Sequence, residues 1–200
     1  MTATEGGTKV GLYAVTVIGR DGPGAVAEIT RAVSGGGVVG DSSMSLLSGH
    51  LAMTLVVSAG QSGDLLSESL TRGIPGLAVT VTDLTPPPVI SPAAAGTRDA
   101  APSSSPASAE ITDTDPTGIS YALTLHGPSG SDALPATTGL LAEAGCAVTS
   151  MTTRVAGNLF VLVADVELPA QADVASLMRA MAAALDGYRI AFRPADPAVM

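Results

Sequence analysis

The sequence has one cysteine, one lysine and no tryptophan, and its aromatic residues are two Phe and three Tyr in 200 positions. Each scarcity excludes something. A single cysteine rules out a disulfide framework and a thiolate metal cage. Charged residues make up only 14%, Lys9 stands alone and the eight arginines are scattered. The clustered cations that phosphate binding requires are missing, which weighs against a direct nucleic-acid partner. No apolar run approaches the ~18 residues of a membrane-spanning helix. Met1 to Val10 is polar and Gly-rich, without the basic-then-apolar order of a signal peptide. The expectation is a soluble cytoplasmic protein with no membrane partner. The negative charge, −9 overall, spreads as −3 over each of 1–84 (4 basic, 7 acidic), 85–118 (1 and 4) and 119–200 (4 and 7). It reads as a solubility feature more than a site.

What is present suffices for a core: 46% hydrophobic residues and a mean hydropathy of +0.42. Half of the 14 prolines lie in one stretch. Residues 85–118 hold seven Pro, seven Ala, five Ser and five Thr, with Val89, Ile90 and Ile111 as the large apolar residues. Such a segment buries too little surface to offset its ordering entropy. It is expected to be a flexible linker between domains at 10–84 and 119–194.

The flanking segments repeat each other. A shift of 108 aligns Tyr13-Ala14-Val15-Thr16-Val17 with Tyr121-Ala122-Leu123-Thr124-Leu125. Without a gap it also pairs Gly19 with Gly127, Gly37 with Gly145, Ser42 with Ser150, Gly49 with Gly157 and Leu51 with Leu159. The chain reads as a duplication.

In the first copy, Leu12 to Ile18 alternates as a strand, and Val26, Ile29 and Val33 recur at helical spacing up to Gly35-Gly36-Gly37. Val38 to Leu47 and Leu51 to Ala59 read as strands around Ser48-Gly49, a hairpin signal. Asp64 to Arg72 suggests a helix and Leu77 to Leu84 a last strand. The second copy repeats this order through Ile119–Leu125, Ala133–Ala144, Cys146–Val155, Leu159–Glu167, Ala172–Leu185 and Tyr188–Arg193. Two βαββαβ units predict an α+β fold of ferredoxin-like type, each a four-stranded antiparallel sheet with two helices on one face. The other face is expected to be covered copy against copy, or chain against chain.

The strongest local motif is Gly19-Arg20-Asp21-Gly22-Pro23-Gly24, between a strand and a helix. Pro23 suits the first helical position. Asp21 suits a capping role just ahead of it. The free amides of a helix start can hold the carboxylate of a small ligand. A capped turn with no ligand is the other reading of the same residues. Elsewhere, His50, His126, Asp41, Asp165 and Glu167 are dispersed, and Cys146 is expected to be a buried small hydrophobe. Tyr13 and Tyr121 hold equivalent strand positions and are expected at the sheet surface. No catalytic constellation, metal spacing or cofactor motif is visible.

These residues carry a resemblance. The Gly19–Gly24 loop, the Gly35–Asp41 turn and the run from Ser43-Met44 to Ala52-Met53 resemble the ACT domain. Asp21-Gly22-Pro23-Gly24 and Gly49-His50-Leu51-Ala52-Met53 are most similar to tandem-ACT proteins related to the glycine cleavage system transcriptional repressor. The resemblance implies non-enzymatic regulatory domains that bind a free amino acid, often glycine or serine, where paired domains meet. It implies a site of Arg20, Asp21, Gly22, Pro23, Gly24 and Ala25, with Val38 and Val39 opposite. Asp21 would pair with the ligand's ammonium, and the Gly24 and Ala25 amides would hold its carboxylate. Two features depart from the pattern. Val38-Val39 and Cys146-Ala147 stand where family members commonly have an Asn, and Gly127-Pro128-Ser129-Gly130-Ser131-Asp132 has no Asp-Gly-Pro-Gly. The expected partners are an amino acid and a protein partner or second copy. A ligand-free adaptor is the alternative. Where ACT domains accompany an enzyme they are appendages of a catalytic domain, and the two copies leave no residues to form one.

Overall fold

The computed structural model describes residues 10–84, 118–130 and 132–195. The expected linker, 85–118, lies outside them except for Gly118, which opens a strand. The first copy contains β1 (Gly11–Arg20), α1 (Ala25–Gly36), β2 (Val38–Leu47), β3 (His50–Ala59), α2 (Gly63–Gly73) and β4 (Ala78–Asp83). The second contains β5 (Gly118–Pro128), α3 (Ala133–Glu143), β6 (Ala147–Ala156), β7 (Leu159–Pro169), α4 (Val174–Ala184) and β8 (Arg189–Pro194). Each is a βαββαβ unit of ferredoxin-like type.

The copies do not stack face to face. They join edge to edge through antiparallel pairing of β2 with β6, giving one eight-stranded sheet in the order β4-β1-β3-β2-β6-β7-β5-β8. An edge strand exposes a row of unpaired N–H and C=O groups. Pairing the two β2-type edges satisfies both rows at once, whereas face-to-face packing would leave them open. One apolar row then crosses every strand: Val79, Val17, Met53, Met44, Met151, Ala164, Leu123 and Phe192. The adjacent row, on the opposite face, reads Thr80, Thr16, Thr54, Ser43, Thr152, Val163, Thr124 and Ala191. That alternation is the period-2 signature of a half-buried sheet.

The helices pack on the apolar face, and α1 and α3 meet across the junction of the copies. Thr30 and Thr138, equivalent positions on those helices, are buried and share a 2.7 Å hydrogen bond. On the strands, Ser42 and Thr153 are buried with their hydroxyls 2.8 Å apart, and Thr153 also donates to the Gly40 carbonyl at 3.2 Å. Buried hydroxyls at the seam are thus paired, as burial requires.

The duplication holds, but not at one constant shift. The 108 offset fits β1 and α1: buried Val26, Ile29, Thr30 and Val33 match Leu134, Thr137, Thr138 and Leu141. In β2 the buried positions Val39, Ser42 and Met44 match Val148, Met151 and Thr153, an offset of 109. The extra residue is Gly145. In the first copy the Gly37 N–H donates to the Val33 carbonyl; in the second it is Cys146 that donates to Leu141. Gly145 is inserted between, at φ +71, as a left-handed helix end. The identities at Gly37, Ser42, Gly49 and Leu51 are therefore coincidences of the ungapped register.

Tyr13 is another departure from expectation. It is 5% exposed, inside the core rather than on its surface, and its hydroxyl donates to the Gln61 carbonyl at 2.8 Å. Tyr121 is half-buried and stacks on Phe192, with centroids 4.7 Å apart.

Candidate functional site

A cavity of about 350 Å³ opens between the copies, beside the junction of α1 and α3. From the first copy, Asp21 to Ala27 form one wall, the end of the β1–α1 loop and the first turn of α1. From the second, the facing wall is Thr138 and Ala142 of α3, then Gly145 to Val148 leading into β6. The two-fold relation imposed by β2–β6 pairing brings the first copy's loop against the start of the second copy's second strand.

The loop is held open by local geometry. The Asp21 N–H donates to the Gly49 carbonyl at 2.9 Å, tying the loop to the β2–β3 hairpin turn. That turn carries positive φ at both Ser48 (50°) and Gly49 (73°), the primed geometry suited to a two-residue hairpin. Gly24, at φ +78, is the N-cap of α1, and no side chain caps this helix. Pro23 therefore lies before the cap rather than at the first helical position, and Asp21 does not cap. A Cβ built on Gly24 would lie 3.8 Å from the Ala142 Cβ, in ordinary contact, so the two walls come close together here.

Among the described residues, the Asp21 carboxylate makes no hydrogen bond or ion pair. The Ala25 N–H is occupied by the Gly22 carbonyl at 3.0 Å, so it is not free to hold a ligand. Helix geometry leaves the Gly24, Val26 and Ala27 N–H groups without intrahelical partners. They supply donors and the positive end of the α1 dipole to this wall. The opposite wall is apolar. The Thr138 hydroxyl is engaged by Thr30 and by the Leu134 carbonyl at 3.0 Å. Cys146 is 9% exposed, and burial pushes its thiol pKa up, keeping it neutral near pH 7.

The structure thus gathers Asp21, Gly22, Pro23, Gly24 and Ala25 into one wall. Arg20, the last residue of β1, is outside the lining, as are Val38 and Val39. Val38 is 57% exposed and Val39 is in the core. Their counterparts in the other copy, Ala147 and Val148, take the facing position. The sequence reading placed the site where paired domains meet but named the first copy's own strand start, Val38 and Val39, for the facing wall. The signal that could have found it is the repeat itself, since two like edges pair antiparallel and exchange neighbours. Among the described residues no group of three or more His, Cys, Asp and Glu is placed to hold a metal, and no helix is long and apolar enough to cross a membrane.

Residues 13–82 match the family model of the ACT domain. No curated protein matches the chain. Among solved structures, an unknown protein from Galdieria sulphuraria is 21% identical, with 94% of this chain and 99% of that one covered and a TM-score of 0.37. A candidate glycine cleavage system transcriptional repressor is 15% identical, covering 93% and 99%, at TM-score 0.36. Aspartate kinase from Synechocystis is 14% identical, covering 92% of this chain and 29% of the kinase, at TM-score 0.52. That last likeness is one of fold and spans both copies.

Proposed function

We propose that this ACT-domain protein is a non-enzymatic regulator in which two ACT domains, 10–84 and 119–194, bind one free amino acid in the cavity between them. The observation that carries the reading is the cavity wall: an Asp21 carboxylate that is unpaired among the described residues, beside the Gly24, Val26 and Ala27 amides that open α1 without intrahelical partners. A zwitterion presents an ammonium and a carboxylate, and this wall offers one group for each. The match of residues 13–82 to the ACT model supports it, as does the modest cavity, which lies at the low end of the range for small-molecule sites. Because the ligand would touch both copies, it would favour the arrangement that closes the cavity, by no more than its differential affinity for that arrangement. A partner protein would read out that arrangement.

A thermal-shift screen of the twenty amino acids tests the reading. A ligand at 100 times its Kd stabilises by about 2.7 kcal/mol, a clear rise in the midpoint. Ala142→Leu, which fills the cavity from the far wall, should abolish that rise. Gly24→Glu should abolish it too, with added backbone strain at φ +78. No response to any amino acid at millimolar concentration would sink the sensor.

The open sheet face favours a second reading, a ligand-free assembly module. Leu12, Ile18 and Val163 on that face are 41%, 51% and 47% exposed. Sedimentation distinguishes the two: a module associates regardless of amino acid, and Val163→Lys should then dissociate it.

A further inference from the structure

We infer that the amino acid taken by the inter-copy cavity carries a small branched hydrocarbon side chain, of the valine class, in preference to glycine or serine. This deepens the sensor reading and rests on it. The two walls divide the polar groups unequally. The one charged residue of the lining, Asp21, and the opening amides of α1 stand on the first copy's side. A ligand gripped there by its ammonium and carboxylate points its side chain at the second copy. What it meets is Ala142, Cys146, Ala147 and Val148, with Thr138 as the hydroxyl-bearing neighbour.

That hydroxyl is not available. Thr138 is 2% exposed and its oxygen is engaged by Thr30 at 2.7 Å and by the Leu134 carbonyl at 3.0 Å. The Cys146 N–H is likewise spent on the Leu141 carbonyl at 2.9 Å. A serine or threonine hydroxyl placed against this wall loses its water and meets no free side-chain partner there, which is unfavourable. A methyl group in the same place meets methyl groups and a neutral thiol. Glycine would leave the wall without contacts at all.

The measurement is calorimetric titration of the full chain with glycine, serine, threonine and valine. Valine and threonine are near-isosteres, so their ratio reports the hydroxyl alone. An apolar pocket rejects an added hydroxyl by at most on the order of 100-fold. The expected result is valine binding about 10- to 100-fold more tightly than threonine, and more tightly than glycine or serine. Threonine equal to valine, or glycine or serine tightest, overturns the inference and leaves the sensor standing. No rise in midpoint with any of the twenty amino acids in the thermal-shift screen overturns the sensor and the inference with it. Val148→Thr and, separately, Cys146→Ser add a hydroxyl to the wall and should lower the valine-to-threonine ratio several-fold. An unchanged ratio in the folded variants would show that this wall does not select the side chain.

Discussion

Gly35 and Gly37 stand two residues apart at the end of α1, and a methyl group added to each meets opposite surroundings. At Gly35 there is nothing within 4 Å. Gly35→Ala should raise stability by about 0.5–1 kcal/mol in urea titration, because alanine costs less backbone entropy in a helix. At Gly37 the new Cβ would lie 2.5 Å from the Ser58 carbonyl oxygen and 2.9 Å from Val57 Cγ1 on β3. Backbone cannot yield as a side-chain tip can, so Gly37→Ala should cost about 1–3 kcal/mol. The sequence offers three glycines in a row and cannot say which one is sterically required. Asp21 taught a similar lesson. Its position before a helix reads as a cap, yet the N-cap is Gly24 in the αL conformation, no side chain caps the helix, and Asp21 lines the cavity instead. Capping depends on backbone angles, which the residue types do not specify.

Between elements, the decisive contact is the β2–β6 seam. Local patterning made every strand and helix legible to within a few residues, because period 2 and period 3.6 are written in β1, β3, β7 and α4. The seam was not legible. Its strands are mixed Ser, Thr, Met and Val, and nothing in an edge strand's own pattern says which edge it will meet. At the seam Asp41, in the β2 bulge, accepts from the Val155 N–H at 2.9 Å and pairs with Arg154 at 2.8 Å. The Val155 N–H first, and then the Arg154 hydrogen bond, hold the Asp41 pKa below its ordinary value. A depressed folded pKa stabilises fully above the unfolded value of about 3.9 and is lost as pH falls through the folded one. The stability difference between wild type and Asp41→Asn should therefore be constant above about pH 5 and shrink below about pH 4. With the Asp41 side chain 40% exposed, solvent screening keeps that difference under about 1 kcal/mol. Asp173 is lowered in the same direction by Ser176 at the start of α4, so the wild-type acid transition alone mixes both groups and the variant difference isolates Asp41. The buried pair at the same seam gives a sharper test. Thr153→Val leaves the Ser42 hydroxyl and the Gly40 carbonyl short of a partner and should cost about 1–3 kcal/mol. The Ser42→Ala/Thr153→Val double variant should cost less than the sum of the two singles, which a double-mutant cycle measures directly.

At the scale of the whole molecule, sharing one sheet changes what a duplication means. The sequence shows two similar copies separated by a Pro-rich stretch, which invites the picture of two beads that melt on their own. The structure instead places Met44 and Met151, 3% and 1% exposed, in register across the seam in the middle of a continuous apolar row. Neither copy can leave without exposing the other's edge strand and those methionines, so unfolding should be a single transition. The tyrosines make this measurable: Tyr13 lies in the first copy and Tyr121 and Tyr188 in the second, and no tryptophan obscures them. Tyr121→Phe/Tyr188→Phe leaves a reporter in the first copy alone, and Tyr13→Phe leaves reporters in the second. Urea curves followed by tyrosine emission in the two variants, each referenced to its own circular dichroism, should coincide with that signal. Met151→Ala, placed in the second copy, should lower both copies' midpoints together at a cost of about 2–5 kcal/mol. If the first copy's reporter keeps its midpoint while the second's falls, the copies are independent. The proposed amino-acid sensor, which needs the two copies to respond as one, would then lose its physical basis.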